Sequence, residues 1–264
     1  MVRASFSPSL SLVTGASSGI GAAFARALEA RGSDLVLVAR REDQLRALAT
    51  ELEAAHGVRC TVVVLDLARP HPGAALLDEL GDRLPDLVVN NAGFGIQGQV
   101  AETDADRLAQ EVAVDVAAVV DLCRAFVEPM MRRGSGAILN IASTAAYQPV
   151  PGMAVYAASK AFVKLFTEAL WYEARPRGVA VFMVSPGAVA SEFFAEGSRI
   201  RAPTAYWDPS RIAAAGLHAL DRGPGRIPPE VMPGFANRAA AFSTRFVPRR
   251  VLLHFTSRLA APGA

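Results

Sequence analysis

The sequence predicts an α/β protein, a single domain of three αβα layers in which a doubly wound parallel sheet lies between helices. Three observations carry this. Apolar runs of strand length alternate with longer helical patterns over the first 185 residues. Some of those runs, such as 35–38 and 62–65, are continuously apolar, as strands must be when helices cover both faces of their sheet. With 264 residues, 52% of them hydrophobic, the chain can bury a large core, and no Ser/Gly/Pro linker divides it.

Strands are expected at 9–14, 34–39, 59–66, 86–90, 136–143 and 179–185. Between them, 19–31, 41–56, 70–82, 104–133 and 153–175 carry Ala, Leu, Arg and Glu at helical spacing, with turn residues at their edges. Beyond Ser185 the alternation weakens into Pro186, Gly187, a stretch at 192–206 without strand character and a helix-like pattern at 208–221. Ligands bind beyond the carboxyl ends of strands in open α/β sheets, so about 190–225 reads as a substrate lid, with a packing subdomain as the alternative. A last strand near Arg226 is opposed by Pro228 and Pro229, and there is no internal repeat.

Charge excludes a nucleic-acid binder, since 27 basic residues are balanced by 25 acidic ones. The imbalance is local. Residues of about 235–264 form a basic amphipathic tail in which five arginines, from Arg238 onward, interleave with Phe242, Phe246, Val251, Leu252, Leu253 and Phe255. Such a tail either lies on an anionic membrane or packs against a neighbouring subunit or its own domain; Pro248, which interrupts it, favours packing. Cys60 and Cys123 read as buried free thiols, too few for a disulfide scaffold. The start of the chain lacks the pattern of a signal peptide, and the longest apolar candidate, 112–127, is broken by Asp115, Asp121 and Arg124. A cytoplasmic protein is expected.

Chemistry begins where the first strand ends. Thr14-Gly15-Ala16-Ser17-Ser18-Gly19-Ile20-Gly21 passes directly into a helix, so its glycines permit a tight turn that faces free helix N–H groups toward a pyrophosphate. The spacing departs from G-x-G-x-x-G, and a nucleotide-triphosphate loop would need Gly-Lys-Ser/Thr. At the end of the second strand, where an NAD site places a carboxylate for the ribose hydroxyl, stand Ala39, Arg40 and Arg41. Two guanidinium groups suit a 2′-phosphate, so NADPH/NADP+ is favoured over NAD, against the alternative that Arg41 pairs with Glu42 or Asp43. Asp66, followed by Leu67, closes the third strand and can accept from an adenine amino group; Asn90-Asn91-Ala92-Gly93 closes the fourth with a turn beside the ribose.

A reactive centre is readable from spacing. Tyr156 and Lys160 lie four apart in a helical segment and share a face, and the ammonium favours the phenolate of a residue whose pKa is otherwise about 10. The lysine can also hydrogen-bond the nicotinamide ribose. Ser143, at the end of the fifth strand, can hold a substrate carbonyl. His56, His71, His218 and His254 show no metal-ligand spacing, and no metal site is expected.

Together, Thr14-Gly15-x3-Gly19-x-Gly21, Asn90-Asn91-Ala92-Gly93, Ser143, Tyr156-x3-Lys160 and Pro186-Gly187-x-Val189-x-Ser191 resemble the short-chain dehydrogenase/reductase family over about residues 9–200. The resemblance implies NAD(P)-dependent ketone/alcohol oxidoreduction on a seven-stranded Rossmann-like sheet, in a homodimer or homotetramer. The turns and the Tyr-x3-Lys segment look most like a bacterial, NADPH-preferring branch similar to reductases of lipid-like ketones and 3-oxoacyl chains. It also implies that Pro186, Gly187, Val189 and Ser191 pack on the nicotinamide carboxamide. One departure stands out: in the helix after the Asn-Ala-Gly turn the family usually has an Asn that holds a relay water, and this chain has Asp115. A carboxylate there adds negative charge near Lys160 and blunts its effect on Tyr156 unless it is solvated or protonated.

The expected reaction is hydride transfer from NADPH to a small-molecule carbonyl, with Tyr156 as proton donor. Phe94, Phe193, Phe194, Tyr206 and Trp207 suggest a hydrophobic substrate, unless they only cover the core. A cofactor-binding regulatory or scaffold protein, and an alcohol dehydrogenase working in the oxidative direction, are the competing readings.

Overall fold

Period-two alternation of side chains explains how the apolar runs are used. In the computed structural model, which describes residues 6–189 and 207–260, Leu35 and Leu37 of one strand enter the core on one face of the sheet while Val36 and Val38 enter the core on the other. The elements in chain order are β1 (Leu10–Thr14), α1 (Gly19–Glu29), β2 (Asp34–Ala39), α2 (Glu42–His56), β3 (Cys60–Val64), α3 (Pro72–Leu80), β4 (Leu87–Asn90), α4 (Ala105–Val112), α5 (Ala118–Arg133), β5 (Gly136–Ile141), α6 (Ala154–Ala174), β6 (Val179–Val184), α7 (Pro209–Leu220), β7 (Glu230–Val231), α8 (Phe235–Ser243) and α9 (Arg249–Ala260).

The seven strands are parallel and ordered β3-β2-β1-β4-β5-β6-β7. Strand order reverses between β1 and β4, so the connections leaving these two strands go to opposite faces and open a crevice at their carboxyl ends. Phe24, Leu28, Leu45 and Leu217 fill one face, and Leu76, Leu122, Phe126 and Val163 the other. This is the Rossmann-like three-layer architecture that the sequence predicts.

Four sequence expectations change. The helix expected over 104–133 is interrupted by a π-helical turn, Ala113–Ala117, in which the Ala118 N–H reaches back to the Ala113 carbonyl. The fifth strand stops at Ile141, because the Ser143 side chain accepts from the Ala145 N–H and caps a 3-10 turn, Thr144–Tyr147. A last strand does form, as two residues directly after Pro228 and Pro229; it lies at the sheet edge, where missing donors cost little, and the Pro229 carbonyl accepts from Met183 N–H. Within the stretch expected as a lid, about 190–225, α7 is core instead: Ile212, Ala213 and Leu217 are buried, and a Cβ at Gly216 would stand 2.9 Å from Phe24 Cζ of α1. Residues 190–206 lie outside those described. No helix among the described residues is long and apolar enough to cross a membrane.

Candidate active site

The crevice above β1 and β4 encloses about 810 Å³, within the roughly 300–1,000 Å³ of small-molecule sites. At one end the β1–α1 turn is built for an anion. Gly15 has φ +64°, and a Cβ on it would stand 2.8 Å from Asn91 Nδ2 and 2.9 Å from Ala92 Cα, so only glycine fits. α1 has no acidic residue in its first turn and no side-chain cap from Ser18, which leaves its N-terminal N–H groups open to the crevice. Thr14 and Asn91 fasten the two adjoining turns: Thr14 Oγ1 accepts from the N–H groups of Asn91 and Ala92, both at 3.0 Å, and Asn91 Nδ2 donates to the Thr14 carbonyl at 2.9 Å.

Arg41 leaves Glu42 to Arg46, which reaches that carboxylate at 2.7 Å. Its own Nη2 donates instead to Ser17 Oγ at 2.9 Å and Ser18 Oγ at 2.7 Å, so the guanidinium is already folded over the phosphate turn. Arg40, Asp66 and Leu67 line the same end. Asp66 Oδ1 accepts from the Ala68 N–H at 3.0 Å.

The other end gathers Ser143, Tyr156 and Lys160. Tyr156 hydrogen-bonds with Ser143, and the Lys160 ammonium lies 5.6 Å from the Tyr156 ring centre. The phenol is nonetheless held above its ordinary range: burial raises it more than Lys160 and Ser143 lower it, and the Asp115 and Glu111 carboxyls raise it further. Lys160 does lower the phenol, as the spacing predicts, but burial outweighs it. At neutral pH Tyr156 holds its proton.

Asp115 is fully buried, neither solvated nor on the crevice wall. The π-helical turn carries it inward, where Oδ2 pairs with Lys160 Nζ at 3.0 Å and Oδ1 accepts from the Phe94 N–H at 3.0 Å. Burial alone would lower the Lys160 pKa, but Asp115, with Tyr156 and Glu111, outweighs it and keeps the ammonium charged. Asp115 thus acts on Lys160 from behind. A Cβ at Gly93 would stand 2.9 Å from Asp115 Oδ1 and 3.2 Å from Lys160 Nζ, so glycine is what lets the β4 turn close over the pair.

The crevice walls also include Gly15, Ser17, Ser18, Gly19, Ile20, Asn91, Ala92, Gly93, Pro186, Gly187 and Val189. Gly21 does not line the crevice; its missing side chain makes room for the Gly15 carbonyl, a packing role. Trp207 turns away from it, packing on the core with the Arg211 guanidinium 4.3 Å from its ring centre. Ser191, Phe193, Phe194 and Tyr206 lie outside the described residues. Asn90 is buried and donates to Asn140 Oδ1 at 2.9 Å, away from the ligand space.

Sequence reasoning missed Gln148, Val150 and Met153, which wall the reactive end beside Phe94. It also missed Glu111, fully buried one turn before Asp115, with burial pushing its carboxyl up to about 7. The signal for Glu111 was its four-residue spacing from Asp115, which matters only once both are known to point inward. Among the described residues no cluster suits a metal ion. The uncapped helix end, the glycine cradle and the arginines fit a phosphorylated dinucleotide, with Lys160 and Tyr156 at its reactive end.

Comparison with known proteins gives the same picture. A family model described as short chain dehydrogenase matches residues 10–200. Sulfoacetaldehyde reductase 2 of Chromohalobacter salexigens is 38% identical over 187 residues, covering 69% of this chain and 73% of that protein. Probable oxidoreductase EphD of Mycobacterium bovis is 34% identical over 196 residues, 73% of this chain; the match spans only 33% of that longer relative. Among solved structures, a short-chain dehydrogenase from Sphingobium yanoikuyae in complex with NADPH superposes with a TM-score of 0.81 at 32% identity, over 90% of this chain and 93% of that one.

Proposed function

The chain belongs to the short-chain dehydrogenase family, an oxidoreductase of alcohol and carbonyl groups, and on that premise we propose that it is an NADPH-dependent reductase of hydrophobic ketones. The observation that carries this is one crevice with Arg41 folded over an uncapped helix end and Ser143, Tyr156 and Lys160 at the opposite end. Bound there, the nicotinamide supplies the hydride. The Ser143 hydroxyl positions the carbonyl oxygen, and Tyr156 gives that oxygen its proton as negative charge develops. Lys160, held charged by Asp115, stabilises the phenolate left behind.

Reduction is favoured over oxidation because Arg40 and Arg41 suit the phosphorylated cofactor, and the protonated phenol is in the state a proton donor requires. Asp115, the main ground for a binding-only protein, strengthens the catalytic reading by sustaining the Lys160 charge. Phe94, Val150 and Met153 supply an apolar wall for the substrate. The same proposal takes the chain as one domain, with a substrate lid within about 190–225 outside the buried α7, working as a cytoplasmic homodimer or homotetramer with unpaired thiols at Cys60 and Cys123. NADPH oxidation with a panel of hydrophobic ketones tests it. Tyr156→Phe is expected to lower turnover by at least about a hundredfold with NADPH affinity retained; turnover that survives the substitution would refute the acid assignment.

A further inference from the structure

The charge imbalance at the C-terminal end becomes a surface in three dimensions. Phe235, Phe242 and Phe246 recur at helical spacing and stand 79%, 59% and 73% exposed, and Val251 and Phe255 of α9 are 58% and 61% exposed. α8 and α9 are anchored through Ala241, Leu252 and Thr256, which are buried, so the phenyl groups face away from the rest of the protein. The exposed Arg238, Arg245, Arg249 and Arg250 stand among them, and no Asp or Glu follows Glu230. Phe242 and Phe246 meet edge to face, 5.2 Å between ring centres, and exposed apolar groups set among cations in this way mark an interaction site.

Beside this face lies a hollow of about 240 Å³, lined by Tyr147, Lys164, Leu165, Thr244, Arg245 and Arg249. Lys164 lies 5.3 Å from the Tyr147 ring centre and pairs with Glu168 at 2.6 Å, and the Tyr147 hydroxyl donates to Glu230, so against these two carboxylates Lys164, Arg245 and Arg249 leave a net positive charge of one. Arg245 spans both features, with its guanidinium 5.8 Å from the centre of the Phe242 ring.

We propose that α8 and α9 dock the protein onto an anionic lipid bilayer, with the phenyl groups in the headgroup–acyl boundary and a lipid phosphate in the hollow beside Arg245 and Arg249. Charge selects this occupant. A two-fold contact with a second copy would set the same arginines against each other with no carboxylate of the segment to answer them, whereas an acidic leaflet complements all of them. Position gives docking a use. Asn237 of α8 abuts Gly187 of the crevice wall, so the surface adjoins the crevice. Delivery of an apolar ketone from the bilayer rests on the reductase reading; docking itself does not.

The test uses the full chain carrying Tyr156→Phe, without cofactor, so that docking is read independently of turnover. Co-sedimentation is measured with vesicles of phosphatidylcholine alone and mixed with phosphatidylglycerol. Binding is expected only to the mixed vesicles and weakens as salt screens the arginines. Arg245→Gln with Arg249→Gln is expected to reduce partitioning about 25-fold, at about fivefold per arginine, and Phe242→Ser with Phe246→Ser to abolish it, each with an unchanged thermal melt. Absence of binding, or equal binding to neutral vesicles, would overturn the proposal. So would conversion of an oligomer to monomer by the phenylalanine pair in sedimentation, which would assign the face to a contact between copies. Failure of the reductase reading would show separately, as no NADPH oxidation by the unsubstituted enzyme on any ketone in solution.

Discussion

Replacing Arg41 by alanine isolates the choice of cofactor. The guanidinium reaches Ser17 and Ser18 at 2.9 and 2.7 Å and stands at the crevice end lined by Arg40 and Asp66, so it is positioned for a 2′-phosphate before any ligand arrives. A hydrogen bond to a charged group contributes about 1.5–3 kcal/mol, and Arg41 is exposed, which places its effect in the lower half of that range. At about 1.4 kcal/mol per tenfold, Arg41→Ala is expected to weaken NADPH binding about 10- to 30-fold. NADH lacks the phosphate and serves as the control: its dissociation constant is expected to stay within roughly threefold. Titration of nicotinamide fluorescence with each cofactor, at low and high salt, reads both numbers, and the salt dependence of NADPH binding is expected to fall in the variant. Equal weakening of both cofactors would refute the reasoning, since Arg41 would then act by holding the serines of the phosphate turn.

Asp115→Asn removes a carboxylate that raises Tyr156, so the acidic limb of alcohol oxidation, where Tyr156 acts as base, is expected to move to lower pH while NADPH affinity changes little; an unmoved profile would make Asp115 a bystander. Glu111 makes stability depend on pH with a definite sign. Burial pushes its carboxyl from the ordinary 4.5 up to about 7 in the folded chain, so between those values the folded state holds more protons than the unfolded one and stability falls as pH rises. Glu111→Gln is expected to remove that loss, of order 2–3 kcal/mol, in urea unfolding compared at pH 5 and pH 8; an identical pH slope in the variant would contradict it. Burial pushes the thiols of the half-buried Cys60 and the buried Cys123 up to about 11 and about 12, so at pH 8 Cys60 is expected to react slowly and Cys123 only once the chain is unfolded, and rapid labelling of Cys123 in the native protein would contradict its burial.

Much of the fold was legible because parallel α/β topology writes itself locally. The run from Leu35 to Val38 signals a strand covered on both faces wherever that strand lies in the sheet, and the right-handed crossover then restricts how such strands connect. The glycine turn and the Tyr156–Lys160 pair were legible for the same reason: each is a relation between neighbours on one turn or one helix face. The π-helical turn was not. Residues 113–117 have ordinary helical composition, and the extra residue in the turn is selected by what it delivers, the burial of Asp115 against Lys160 and the Phe94 N–H.

The chain's own pattern thus determined the order of its strands and helices, the cradle after β1 and the placing of a phenol and an ammonium on one face of α6. Tertiary structure alone decided the charge state of that face, because the two carboxylates that face Lys160, Asp115 and Glu111, lie 45 and more positions away and offset a burial that no local spacing encodes. It also decided that α7 is core and that the phenylalanines of α8 stand in the open. An amphipathic pattern specifies that one face of a helix must be covered; whether the rest of the protein covers it depends on surfaces distant in sequence.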